Sequence, residues 1–305
     1  MRVQSKLILL LVLGLLVIVA CQAVPSPTTT PLVPSATSAS TATATPSDAT
    51  ATPPPTPAVT ATLTPTTATT TTLSLYFFRN GKLGVVHRNL ERTSQIGSTA
   101  LQALLAGPTQ AEQSLGFRSA IPSGTQLHKL TINGDQATVD LSSSFTSEAT
   151  ASLLKQRVAE VVFTLTQFPT VRSVLITVDG VPIEPQAAGL TSNAPFTRAV
   201  FEDLLPAIFI ESPAPGDTVS TPLRIWGTAN VFEATFHLSI TDTHGTVLAD
   251  QPVTATSGSG TRGTFEVTVQ LPLQKPTPVN VIAFELSPRD GSPTNRVEIP
   301  ITVAP

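Results

Sequence analysis

The chain has 305 residues and a formal net charge of −3, with only 12% charged and 5% aromatic residues. That balance argues against a nucleic-acid binder, which would carry a basic patch, and a single cysteine excludes an intrachain disulfide or a cysteine-based zinc cluster. The length allows one to three domains with cores of their own, and the composition points to an exported, anchored, mostly β protein.

Arg2 and Lys6 give a short positive start, and Leu7 to Ala20 is then apolar apart from Gly14. A charged n-region, an apolar h-region and small residues at its end predict a signal peptide over residues 1–20, with the positive start kept cytoplasmic. Ordinary secretory cleavage near Ala23 and an uncleaved anchor are the competing readings. A spanning helix needs about 20 apolar residues, however, and this run stops before Gln22. The run ends Ile18-Val19-Ala20-Cys21, which resembles the lipobox of bacterial lipoproteins. That resemblance implies a diacylglyceryl group on the Cys21 thiol and cleavage just before it, Ala20 supplying the small residue at the cut. Two or three acyl chains on Cys21 would hold the protein stably, whereas one alone holds weakly. The expected location is the extracytoplasmic face of the cell membrane.

Residues 21–72 form a second compositional zone, read as a disordered stalk. Thr, Ala, Pro and Ser make up 44 of the 51 residues after Cys21, and Asp48 is the only charge. Such a segment buries too little apolar surface to offset its ordering entropy. Pro53-Pro54-Pro55 and the repeated Thr-Pro steps favour polyproline II geometry, so at ~3.1 Å per residue the reach is at most on the order of 150 Å. The Ser/Thr/Pro content also suits O-glycosylation.

Residues 73–185 read as an α+β domain in the order ββαββαβ, a mixed sheet with helices on one face. Leu73 to Phe78 and Leu83 to Leu90 flank Asn80-Gly81, a hairpin turn pair. A helix follows from about Gly97, with Ile96, Ala100 and Leu104 on one face, and Gly107-Pro108 stops it. A second hairpin joins Gln126–Ile132 to Gln136–Leu141 across Asn133-Gly134-Asp135. A longer helix is expected from about Ser147 to Gln167. Its stripe of Leu154, Val158, Val161, Leu165 and Phe168 lasts only two heptads, which suits a core face better than a coiled coil. Val171 to Val178 closes the domain at the Asp179-Gly180 turn.

This segment resembles the GerMN domain of bacterial sporulation and germination proteins. The resemblance rests on Leu75-Tyr76-Phe77, Leu104-Leu105-Ala106-Gly107-Pro108, Ile121-Pro122-Ser123-Gly124-Thr125, Val139-Asp140-Leu141-Ser142, Thr164-Leu165-Thr166 with Phe168-Pro169, and Val178-Asp179-Gly180. It implies a compact extracytoplasmic domain, related to ring-building modules and without catalytic residues.

Residues 186–206 are too apolar for a flexible linker. Phe196, Val200 and Leu204 lie at i, i+4 spacing beside Phe201 and Leu205, predicting a short packed helix; a strand-like overhang is the alternative. Residues 207–305 then read as about seven short strands, an all-β immunoglobulin-like sandwich. Phe236, Leu238 and Ile240 alternate with polar neighbours, as do Phe265, Val267, Val269 and Leu271. With no cysteine pair, the core must rest on aliphatics, phenylalanines and Trp226. The region is similar to the immunoglobulin-like domain that accompanies GerMN in germination-associated proteins. The matching residues are Ser212-Pro213, Pro215-Gly216-Asp217, Pro222-Leu223, Gly227 to Ala234, Gly263-Thr264-Phe265 and Ser287 to Gly291.

Chemistry is sparse. His87, His128, His237 and His244 show no metal-ligand spacing, and no nucleophile elbow or phosphate loop occurs. Asp179 and Asp290 precede glycines and read as Asx-turn residues. Glu233, in Val231-Phe232-Glu233-Ala234, is read first as bonding loop amides; with Phe232 it is the candidate ligand or interface contact. No catalytic, cofactor or metal residues are expected. The leading expectation is a non-enzymatic binding or assembly lipoprotein of the cell envelope, related to sporulation or germination, with an envelope protein or wall component as partner and no nucleic acid. The alternative is a sensory lipoprotein binding a small solute or glycan, and the third is an envelope hydrolase with two close carboxylates.

Overall fold

The computed structural model describes residues 69–191 and 194–305. Cys21, the signal sequence and nearly all of the Thr/Pro-rich zone therefore lie outside the described residues. The described residues belong to one compact unit.

Strands β1 (Thr70–Arg79) and β2 (Lys82–Glu91) pair as an antiparallel hairpin with Arg79 opposite Lys82. Asn80 and Gly81 both take positive φ (53° and 75°), the backbone hand that matches a two-residue turn to strand twist. β1 begins at Thr70, inside the threonine run, because β-branched threonine fits a pleated strand as readily as an extended coil. Helix α1 (Ile96–Leu105) buries Ala100, Leu101 and Leu104 and ends at Gly107, whose φ is +78°. A short helix α2 (Gln110–Ser114) follows, with a capping box between Thr109 and Glu112.

Strands β3 (Leu127–Asn133), β4 (Gln136–Leu141), β5 (Ser173–Val178) and β6 (Val181–Pro182) form a four-stranded sheet in that order. β4 and β5 run parallel, which requires a crossover, and helix α3 (Ala151–Leu165) supplies it. α3 starts about four residues after the expected Ser147. Glu148 sits at φ 50°, and the Thr150 side chain accepts from the Leu153 amide, so the helix begins only after that cap. Both α1 and α3 contact the four-stranded sheet, through β3 and β5, and also β1 of the hairpin. The hairpin is a sheet of its own and covers the helices from a second side. That explains why α3 buries Ala159, Val162, Phe163 and Thr164 in addition to Leu154, Val158, Val161 and Leu165.

The connector is a 3-10 turn over Arg198–Leu204, broken at Phe201. Phe196 makes an antiparallel bridge to Val174, extending the sheet by one residue. The break changes which side chains point inward: Phe196, Phe201 and Leu205 are buried, while Val200 and Leu204 are half-buried.

The remaining strands form a sandwich. One sheet has the order β11 (Val247–Thr254), β10 (Thr235–Asp242), β13 (Thr277–Leu286), β14 (Pro293–Ala304), β8 (Thr218–Ser220); the other is β12 (Gly263–Val269), β9 (Leu223–Ala229), β7 (Ile208–Ser212). Alternate side chains of β10, β13 and β14 meet Ile208, Ile210, Leu223, Ile225 and Phe265 in its core. Phe236 and Phe265 pack edge-on with ring centres 4.9 Å apart. Trp226 is not part of this core. Leu223, Ile225 and Gly227 take the inward positions of β9, so the period of two turns Trp226 outward, where it is half-buried.

Candidate functional site

The two folded halves meet on β7. Residues Ile208 to Glu211 are all buried, the pattern of a strand covered on both faces. Ile208 and Ile210 enter the sandwich core, whereas Phe209 and the following Ala214 join the core of the α+β domain. Phe209 packs on Tyr76, ring centres 6.2 Å apart. Glu211 then reaches a charged knot: it accepts from Tyr76 Oη at 2.7 Å and from Arg198 Nη1 at 2.9 Å. Arg198 also donates to Thr166 Oγ1 (2.7 Å) and Phe163 O (3.1 Å), and its guanidinium lies 4.6 Å from the centre of the Phe163 ring. Burial, reinforced by the Glu211 carboxylate, raises the Tyr76 phenol well above its ordinary range, so it stays a donor.

Other ties surround this knot. His87 Nδ1 lies 2.7 Å from Asp217 Oδ2, and Arg79 donates to the Glu298 carbonyl at 3.1 Å. Glu202 of the connector accepts from Arg262 (2.8 Å) and Asn230 (2.9 Å) of the sandwich. Two open cavities flank the junction. One, of about 540 Å³, lies between the β1–β2 turn and β14; the other, about 1000 Å³, runs from Ser74, Thr166 and Gln167 to the outer face of β9 and β12.

The Phe232–Glu233 pair sits on a loop of the sandwich. Phe232 is 62% exposed. Glu233 and Ala234 both take positive φ (52° and 58°). The expected carboxylate-to-amide bond is present but is made by another residue: Glu285 Oε1 accepts from the Phe232 amide at 3.0 Å. The Glu233 amide donates to Ser259 Oγ, and among the described residues no hydrogen bond or ion pair reaches its carboxylate. Gly260 N donates to Asn230 Oδ1, and Asn295 bonds Glu285, so three loops are stitched together beneath an exposed ring.

The remaining polar residues have structural duties. Asp290 makes the expected turn, accepting from the Ser292 hydroxyl and amide. Asp179 does not; its turn is set by left-handed backbone at φ 48°, and Asp140 is the residue that accepts from Gly180 N (2.8 Å) and from Thr177 Oγ1 (2.6 Å). Those two bonds hold the Asp140 carboxyl below the usual range. His237 stacks on Phe284, and His244 is exposed. Among the described residues no group of three or more His, Cys, Asp or Glu could hold a metal ion. Sequence reasoning passed over Arg157 and Glu160, charged positions on α3 that are 4% and 0% exposed. Glu160 accepts from Ser119 Oγ and Ala120 N, both at 2.7 Å, while Arg157 donates to Ala120 O, Phe145 O and Ser147 O. Together they hold the Ser119–Ala120 segment, and Arg157 ties the Phe145–Ser147 turn to the same helix. Their spacing of three on a helix whose other face is an apolar stripe was the available signal.

An α+β domain fused through a shared strand to an immunoglobulin-like sandwich defines the class. Residues 74–184 match the family described as sporulation and spore germination, and residues 207–292 match the immunoglobulin-like domain of bacterial spore germination; the chain carries both domains, in that order. Among solved structures it is similar to the first GerMN domain of the sporulation protein GerM from Bacillus subtilis, at 26% identity over 42% of this chain and 95% of that one, with a TM-score of 0.33. It is also similar to the tandem GerMN domains of GerM, at 18% identity over 77% of this chain and 61% of that one, TM-score 0.36. A Clostridium perfringens protein described as a candidate lipoprotein is 24% identical over 43% of this chain and 89% of that one, TM-score 0.31. A comparison with curated proteins returned no match. Among the described residues no helix is long and apolar enough to cross a membrane.

Proposed function

We propose that this chain is a lipid-anchored extracytoplasmic protein whose two fused domains act as a non-enzymatic binding and assembly module in sporulation or spore germination. The observation that carries this reading is the junction. Tyr76, Arg198 and Glu211 are drawn from three segments and satisfy one another, and Phe209 completes the neighbouring core. A pair of domains fixed in this way presents its loops in a constant relation, as an assembly component must. Phe232, with Glu233 beside it, is the proposed contact: an exposed aromatic on a braced loop pays little ordering entropy when covered. Cys21 is the proposed lipid attachment, and the threonine- and proline-rich segment is the spacer between membrane and module.

The test combines two measurements. Mass spectrometry of the mature protein is expected to show a diacylated N-terminal Cys21, and Cys21→Ser is expected to release the protein from the membrane fraction. Crosslinking pull-down from intact envelopes is expected to capture one dominant partner with the natural chain and to lose it with Phe232→Ser. An unmodified thiol would remove the anchor from this reading, and capture unaffected by Phe232→Ser would remove the contact.

A further inference from the structure

The larger cavity carries a second inference, which rests on the envelope location proposed above and names a ligand class for it. The only tryptophan and the only tyrosine of the chain both line this groove. Tyr76 is buried at its base, and Trp226 stands half-buried on the outer face of β9. Beside Trp226 the β9–β12 register places Glu266 opposite it and Thr264 opposite Thr228.

The charges in the groove cancel. Arg224 donates twice to Glu266, at 2.7 and 2.8 Å, and Arg198 is held by Glu211. Two cations against two carboxylates leave no net charge among the lining residues, which disfavours phosphate, nucleic acid or a strongly charged peptide. What remains is a part-exposed indole bordered by hydroxyls and a glutamine amide, with the planar guanidinium–carboxylate pair close by. That combination suits a ligand with an apolar ring face to stack and hydroxyls around its edge. We infer that this groove binds a neutral oligosaccharide, with a sugar ring against Trp226 and hydroxyls meeting Arg224, Glu266 and the threonines. The Arg224 bonds hold the Glu266 carboxyl below its usual range, and Glu211 is occupied by Tyr76 and Arg198. Neither carboxylate is set up to donate a proton to a glycosidic oxygen, so the groove binds without cleaving.

Because Trp226 is the sole tryptophan, its fluorescence reports on this groove alone. The full chain in detergent would be titrated with a β-1,4-linked N-acetylglucosamine tetrasaccharide, with cellotetraose, and with a synthetic peptide of residues 46–68. The expected result is a saturable fluorescence change with at least one of the two sugars, protection of Trp226 from iodide quenching, and no shortening of the sugar over days. By calorimetry, Trp226→Ala is expected to weaken binding about tenfold, and Arg224→Ala to weaken it less. Phe232→Ser should leave it unchanged. No saturable change with either sugar, undiminished affinity in Trp226→Ala, cleavage of the sugar, or a response to the proline-rich peptide alone would each overturn the inference. A negative titration alongside intact partner capture would remove the sugar site and leave the assembly role standing; loss of both would remove both.

Discussion

Glu160 shows how one buried side chain can set a pH dependence. It is fully buried, and the loss of hydration raises its carboxyl to about 8, against the opposing effect of the bonds from Ala120 and Ser119. The folded protein therefore keeps a proton that the unfolded chain releases above about pH 4.5. Stability tied to this group is fully present below that pH and is lost as pH rises toward 8, at about 1.4 kcal/mol per unit of displacement. Glu160→Gln can keep both contacts, its oxygen accepting from Ala120 N and its amide donating to Ser119 Oγ. Urea midpoints are expected to fall between pH 5 and pH 8 in the natural chain and to stay level in Glu160→Gln. Tyr76 and Arg198 give a second test. Tyr76→Phe removes one bond to a charged acceptor and is expected to cost about 1.5–3 kcal/mol. Arg198→Ala leaves Glu211 buried without its cation and is expected to cost about 2–3 kcal/mol, short of a fully buried pair because Arg198 is 29% exposed. Chemical denaturation at neutral pH measures both.

Among the strands, β7 and β9 depend on one missing side chain. A Cβ at Gly227 would lie 2.0 Å from the Phe209 carbonyl oxygen, so the two strands can approach as they do only with glycine there. Gly227→Ala is expected to prevent β7 from pairing, and so to disturb both cores, with a loss of at least about 3 kcal/mol or failure to fold. Gly134→Ala should cost far less: its Cβ would meet nothing within 4 Å, so only its positive φ of 60° is penalised. Thermal melts of the two variants side by side check this ordering. These elements also show how far the chain can be read in advance. The Asn80-Gly81 turn, the Gly107 stop and the alternating strands carry their geometry in local chemistry. The connector did not follow its i, i+4 spacing, because the contact of Phe196 with Val174 and the break at Phe201 come from partners distant in sequence. Trp226 likewise was placed outside the sandwich core by the phase of β9, which a lone aromatic residue does not reveal.

The two folded halves share one strand and one charged knot, so they are expected to unfold together. Calorimetry should give a single transition whose calorimetric and van't Hoff enthalpies agree. Phe209→Ala removes the side chain that β7 contributes to the α+β core and is expected to cost about 3–5 kcal/mol. It should also split the transition in two. A natural chain that already melts in two steps would mean that the shared core does not couple the domains.

The order of elements and the two domain families follow from local pattern, because turn chemistry, helix stops and hydrophobic period act over a few residues. The fusion of the domains does not. Glu211, Arg198 and Tyr76 are 13 and 135 residues apart along the chain from Glu211, and nothing in the neighbourhood of any one of them announces the others. Burial of Arg157 and Glu160 and the neutral groove beneath Trp226 arise in the same way. A charge can be enclosed only where folding delivers its partner, and that delivery is a property of the packed molecule.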